Sequence, residues 1–176
     1  MKNVLLVSED YIKTNSELSD NIWGKYLLPS VRDMQDINLR EALGNSLYEY
    51  ILDQVSAGTL SDQYKVLVDD YARIYLLHLV CADVLSIVNT KIGNLGAVHT
   101  SDERVVNLTD AEVDRLLHNH QNKANHYRKR MCEFILDNRE NFPELKECDC
   151  EGIKAALYSN ADCGIWLGGA RGKRVK

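Results

Sequence analysis

The sequence predicts a mainly α-helical, multi-helix bundle with long central helices, a β-hairpin arm at about 91–108 and an extended C-terminal tail. Three observations predict it. Apolar residues recur every three or four positions over most of the chain up to about residue 138. Capping residues stand where those runs begin, and glycines where several of them end. The periodicity lapses twice, over "NTKIGNLGAVHTSDERVVNLTDAEV" (89–113) and again from Cys148 onward. These breaks divide the chain into a helical domain with its arm (1–147) and a docking tail (148–176).

"NVLLV" opens as a short extended run, and Ser8 is placed to cap a helical turn that Asn15 and Ser16 break. From 21 to 38, Ile22, Trp23, Tyr26, Leu27, Val31, Met34 and Ile37 fall at helical spacing and are expected to face inward. Pro29 lies within that pattern, so it either kinks the helix or starts its second part. "LREALG" is a further turn ending at Gly44. Asn45 or Ser46 starts the next helix, with Leu47, Tyr48, Ile51, Leu52 and Val55 inward and Gly58 as its stop.

Ser61 is expected to cap the main helix, from Asp62 to about Asn89. Tyr64, Leu67, Val68, Tyr71, Tyr75 and Leu79 form one stripe, and over 74–88 apolar residues spread round most of the circumference. That spread marks a central helix packed from several sides. In "TDAE", Thr109 and Glu112 have the form of a capping box. The helix they start carries Val113, Leu117, His120, Ala124, Tyr127, Met131, Phe134 and Ile135 inward and ends near Asn138.

The connection between the last two helices is long. Most helix–helix connections span about 2–8 residues. "GAVHT" and "RVVNL" are short β-prone runs around "SDE", with Gly93 and Gly96 just before them, and they are expected to pair as a hairpin. An arm that cannot bury both faces on its own domain needs a partner. In the tail, Ile165, Trp166 and Leu167 form one apolar pulse before the cations of "GGARGKRVK", which suggests a docked segment.

At 176 residues the chain is long enough for one domain to bury roughly 70% of its unfolded surface. A formal charge of −5 predicts no global attraction to nucleic acid, although "NKANHYRKR" (122–130) and the final residues are locally basic. No signal peptide is expected, since "MKNVLLV" runs into Ser8, Glu9 and Asp10. The richest apolar window, "RIYLLHLVCADVLSIV", is too short for a bilayer and contains His78 and Asp83, so no membrane partner is expected. Five cysteines in such a chain read as free thiols.

Catalytic and metal chemistry find little footing. Cys148, Cys150 and Cys163 with a histidine suggest zinc, but "CDC" has one intervening residue where a knuckle needs two to four, and no second pair follows. His118 and His120 lie about 200° apart round a helix and cannot share a metal from one face. His120, on the apolar stripe, reads as a satisfied core or interface histidine. There is no G-x-S-x-G elbow, and neither "GNLG" nor "LGGARGK" has the context of a phosphate loop. The expectation is a protein without catalytic residues, cofactor or metal.

The ordered features "LLPSVRDMQD…LREALGNSLY", the long helix ending "KIGNLGAV", "NFPEL" and "CGIWLG" resemble the head–tail connector (adaptor, or head-completion) proteins of tailed bacteriophages. The likeness is to those of crAss-like and related phages and prophages of Bacteroides-type bacteria. The resemblance spans nearly the whole chain and rests on no catalytic motif. It implies a ring beneath the portal, typically of twelve copies, that joins the capsid vertex to the tail and helps retain or pass DNA. Its partners would be further copies of itself, the portal protein and the next tail or adaptor protein, with nonspecific contact to phage DNA. The location implied is the virion's head–tail junction, after synthesis in the bacterial host cytoplasm. The assembly interface is expected at Lys91, Val98, Arg104, Val105 and Val106 of the arm, and at Ile165, Trp166, Leu167, Arg171, Lys173 and Arg174 of the tail. The long, cysteine-bearing C-terminal segment departs from simple connectors. A helical regulatory or nucleic-acid-binding protein is the first alternative, and a zinc-dependent protein the second.

Overall fold

In the computed structural model, residues 4–18, 24–93, 96–99 and 109–145 are described. The protein is mainly α. Helix α1 spans Glu9–Asn15, α2 Gly24–Met34, α3 Arg40–Leu43, α4 Asn45–Ala57, α5 Asp62–Val66, α6 Arg73–Asn89 and α7 Asp110–Asp137. A π turn, Gln35–Leu39, joins α2 to α3, and a second, Leu67–Ala72, joins α5 to α6. Strands β1 (Thr90–Gly93) and β2 (Gly96–His99) come directly after α6, and a 3-10 turn, Arg139–Asn141, comes after α7.

Local signals set most boundaries. Ser8 Oγ accepts from Tyr11 N at 3.1 Å and caps α1. Thr109 and Glu112 form the reciprocal box at the start of α7: Thr109 N donates to the Glu112 carboxylate at 2.9 Å, and Glu112 N donates to Thr109 Oγ1. Gly58 ends α4 at φ 68°, its N–H donating to Val55 O while Thr59 N donates to Gln54 O. That pair of bonds needs a left-handed residue between them, which glycine supplies without a Cβ clash. Gly44 separates α3 from α4 at φ 77°, ψ 150°, a region open almost only to glycine. Ser61 departs from expectation: it holds the N-cap position of α5 with extended backbone, but its side chain makes no capping bond. Pro29 lies inside α2, which continues to Met34, so no second helical part begins there.

The first π turn corrects the reading of 21–38. A π turn closes i→i+5 bonds and inserts one residue, rotating the downstream residues by about 100° relative to a continuous α-helix. Arg40 N accordingly bonds to Gln35 O. Ile37, expected inward, is 63% exposed, while Gln35 is buried in its place. Tyr26 also lies at the surface, and Ile22 and Trp23 fall outside the described residues.

The second π turn divides the predicted main helix without ending it, and 62–88 act as one 27-residue helix. It is long and apolar enough to cross a membrane by length and composition. Here it is the centre of the core: Tyr64, Leu67, Val68, Ala72, Tyr75, Leu76, Leu77, Val80, Cys81 and Val84 are buried against α2, α7 and their neighbours. Helix α7 covers it with Val113, His120, Ala124, Met131, Cys132 and Ile135. Past the end of α7, Phe142 is fully buried edge-on to Tyr64, with ring centroids 5.2 Å apart, and Tyr64 OH donates to Glu144 at 2.5 Å. Burying one such aromatic contributes about 1.5–3 kcal/mol, so this pair anchors the end of the chain's helical part.

The described ladder includes a strand, Thr90–Gly93, that the sequence reading did not name. The described strands pair Thr90–Gly93 antiparallel with Gly96–His99, in the register Lys91↔Val98, with Gly93 opposite Gly96. "GAVH" therefore pairs with "TKIG" before it. The expected arm to residue 108 is not supported, and 100–108 lie outside the described residues. Two runs only two residues apart close a small loop, so β1 and β2 pair at little entropic cost. The proposed tail domain, 148–176, also lies outside the described residues.

Candidate assembly surface and polar clusters

Helix α6 leaves the core in its last turn. Val84 is fully buried, whereas Ile87 is 37% and Val88 44% exposed. Strand β1 starts at the next residue but one with no intervening loop, so the ladder extends the core helix outward from an apolar root. Within the described residues β1 and β2 pair only with each other. Of the expected interface residues, Lys91 and Val98 come together as a direct cross-strand pair. Arg104, Val105, Val106, Ile165, Trp166, Leu167, Arg171, Lys173 and Arg174 lie outside the described residues. Leu28 and Ile37 add exposed apolar surface elsewhere on the body.

The basic block of α7 is largely engaged within the fold. Arg128 pairs with Glu41 at 2.9 Å, Arg130 lies over the rings of Tyr71 and Tyr127, and Lys123 reaches Glu17 at 3.8 Å. His126 is exposed.

Two polar clusters were not legible in the sequence. In the first, Gln35 accepts from Leu6 N at 2.8 Å and donates to Val4 O at 2.9 Å, so one amide satisfies both sides of an irregular main chain. Arg73 Nε donates to Leu6 O at 2.9 Å from the other side. Tyr48 OH, 3.3 Å from Gln35 Nε2, donates to Asp36 Oδ1 at 2.5 Å, and Arg40 bonds Glu49 while lying over the Tyr48 ring. Burial, and then the bond to Asp36, pushes the Tyr48 hydroxyl up to about 12.

The second cluster joins three parts of the chain. His78 of α6 and His120 of α7 meet Nδ1 to Nδ1 at 3.3 Å, and His120 Nε2 lies 3.1 Å from Glu17 Oε2. His78 stacks on Tyr127 and lines an open cleft of about 480 Å³ with Asn122, Lys123, His126 and Tyr127. His120 is 5% exposed and fully partnered, as its place on the stripe suggested. Among the described residues no three His, Cys, Asp or Glu side chains are grouped to hold a metal ion. Cys81 and Cys132 are buried free thiols, each pushed up to about 11 by burial. They pack as small apolar groups. Cys148, Cys150 and Cys163 lie outside the described residues.

These features define a class: a helical bundle built on one buried central helix, with a short β ladder projecting from its end. The chain belongs to the DUF6712 family, a family of unknown function, whose pattern it matches over residues 39–154. That span runs from the end of the first π turn through the core helix, the ladder and α7. No curated protein and no solved structure matches the chain.

Proposed function

We propose that this protein is a structural, non-enzymatic subunit of a phage virion, a head–tail connector that forms a ring beneath the portal. The observation that carries the reading is the ladder continuing straight out of the core helix. Isolated two-stranded hairpins are marginal in water. A ladder that, among the described residues, pairs only with itself, on a root of exposed Ile87 and Val88, suits completion by a neighbouring subunit or a portal segment. The resemblance of the ordered motifs to phage connector proteins supplies the biological setting. In this reading Lys91 and Val98 belong to the contact, together with Arg104, Val105 and Val106 that follow the ladder in sequence and Ile165, Trp166 and Leu167 near the C-terminus. The cations Arg171, Lys173 and Arg174 meet an acidic neighbour or DNA phosphate.

A ring arises from a heterologous interface whose rotation closes, and stable contacts of this kind bury roughly 1,200 Å² or more. Electron microscopy of the purified protein mixed with portal, together with reconstruction of the virion's head–tail junction, tests this directly. A cyclic layer of this chain around the DNA channel is the expected result. Its absence from the virion, or scattered single copies, would sink the proposal.

The nucleic-acid-binding alternative rests on the basic block of α7. The engagement of Arg128, Arg130 and Lys123 with Glu41, Tyr71, Tyr127 and Glu17 counts against it. Tight duplex binding by the isolated protein, falling steeply with salt, would favour that alternative.

A further inference from the structure

Residues 5 and 6, the end of α4 and the first turns of the central helix enclose a groove of about 280 Å³. Its apolar lining is Leu5, Leu6, Val55, Leu60 and Val68, and its charged lining is Lys65, Asp69 and Arg73. Leu6 and Val68 are buried, but Leu5, Val55 and Leu60 are only half-buried, so the groove leaves apolar side chains in contact with water. Gly58 also lines it, and a Cβ added there would meet nothing within 4 Å. Covering apolar surface is favourable in proportion to its area. The groove therefore suits an apolar stretch of chain.

One such stretch starts beside it. The described residues end at Leu145, where Phe142 packs edge-on to Tyr64 and Tyr64 OH donates to Glu144. Lys65, the residue after Tyr64, lines the groove, and Val68 stands about 6 Å further along the helix axis. The chain thus leaves the body at a face of α5 that adjoins the groove. The sequence that follows is "KECDCEGIKAALY" (146–158), three carboxylates against one lysine and then an apolar run. Ile153 and Leu157 are four residues apart, so they share a side whether the run is extended or helical. Ile153 lies eight residues beyond Leu145, a reach of up to about 26–29 Å. The family pattern also continues to residue 154 and so includes Ile153.

We infer that the segment after Leu145 closes this groove in its own chain, with Ile153 and Leu157 set against Leu5, Val55, Leu60 and Val68. Glu147, Asp149 and Glu151 come before the apolar pair and pass the charged side of the groove. Lys65 is held there only by Asp62, at 3.5 Å and with both side chains more than half exposed. A surface pair of that kind binds weakly, so Lys65 is free to turn to a carboxylate of the segment. Arg73 stays committed to Leu6 O and Asp69. The apolar pair supplies the affinity and Lys65 the direction. Anchored at Leu157, the chain presents Ile165, Trp166 and Leu167 from a fixed point beside α4 and α5. The contact lies within one chain, so it holds or fails independently of ring assembly.

The test uses the full chain. With Cys148→Ser and Cys163→Ser, Cys150 is the one thiol besides the buried Cys81 and Cys132, and it takes a nitroxide spin label three residues before Ile153. In protein with ¹³C-methyl leucine and valine, the methyl signals of Leu5, Val55, Leu60 and Val68 should lose most of their intensity relative to the reduced label. Those of Val84 and Val88, about 24 and 30 Å further along the central helix, should keep theirs. Ile153→Asp with Leu157→Asp should restore the groove signals at unchanged helical content, and Lys65→Glu should restore part of them. Full intensity in the labelled protein would overturn the inference, as would a loss that persists in the double variant. An equal loss with label and ¹³C on different molecules would overturn it in favour of a second copy. A loss seen only after portal protein is added would overturn it in favour of a partner. Should the double variant not fold, the oxidised and reduced spectra and the mixed sample decide alone.

Discussion

The side-chain amide of Gln35 accepts from Leu6 N at 2.8 Å and donates to Val4 O at 2.9 Å, 31 residues away. A helix residue thereby does for an irregular segment what a neighbouring strand would do. Gln35→Ala leaves a buried Leu6 N–H without a partner, which costs about 1–3 kcal/mol. The urea midpoint should fall by that amount at unchanged slope, and proteolysis should begin near residues 4–8. Gln35→Glu keeps the acceptor but loses the donor, so it should fall between Gln35→Ala and wild type at neutral pH. An unchanged midpoint for Gln35→Ala would show that the segment is held by Leu6 and Val7 burial alone.

Gly44 and Gly58 both have positive φ, but they should not respond alike to alanine. At Gly58, φ 68°, an added Cβ meets nothing within 4 Å, so Gly58→Ala carries only the left-handed penalty of about 1–2 kcal/mol. Gly44, at φ 77° and ψ 150°, occupies a region that alanine scarcely enters, and Gly44→Ala should cost about as much or more, up to about 3 kcal/mol. Thermal unfolding of the two variants side by side checks the order.

Cys81 and Cys132 should be silent toward thiol reagents at pH 8 in the folded protein. Reaction needs thiolate and access, and burial both pushes these thiols up to about 11 and closes the path. Both should react fully once urea unfolds the chain. Rapid native labelling of either residue would contradict their placement at the α6–α7 interface.

Alkaline unfolding should track the buried tyrosines. Burial raises Tyr48 and Tyr75 to about 12, and Tyr64 is raised too, by burial and then by its bond to Glu144. A phenol raised in the folded state contributes stability that is complete below its unfolded value of about 10 and is lost as the pH climbs above it. Phenolate absorbance should therefore show an early group of exposed tyrosines, then a late group rising together with the loss of helical signal. A single transition near pH 10 with the helices intact would count against this.

The ladder should matter to assembly and not to the fold. Because β1 and β2 pair only with each other among the described residues, replacing 96–107 with a short Gly-Ser linker should leave helical signal and thermal unfolding within about 1 kcal/mol of wild type. Assembly on the portal should fail. A large loss of stability would place this segment in the core instead.

The sequence by itself determined the features that are decided within a turn or two of helix. The caps at Ser8 and Thr109, the stops at Gly44 and Gly58, the stripe of α7 and the central position of α6 all come from local hydrogen bonding and periodicity. Those terms act between residues a few positions apart, so they can be read in order along the chain. Tertiary structure decided where regular spacing gives way. The π turn at Gln35–Leu39 puts Gln35 inside and Ile37 outside, and nothing in "MQDINLR" announces it, because its compensation lies in Val4, Leu6 and Tyr48. His120 could be placed on a buried face from its position in α7. Its meeting with His78, 42 residues earlier, depends on how α6 and α7 pack. The ladder shows the same division: the β-prone residues of "GAVH" were visible, but their pairing with Thr90–Gly93 was not. Contacts of this kind are fixed only once the core closes, since each is a small energy difference between side chains that sequence spacing does not bring together.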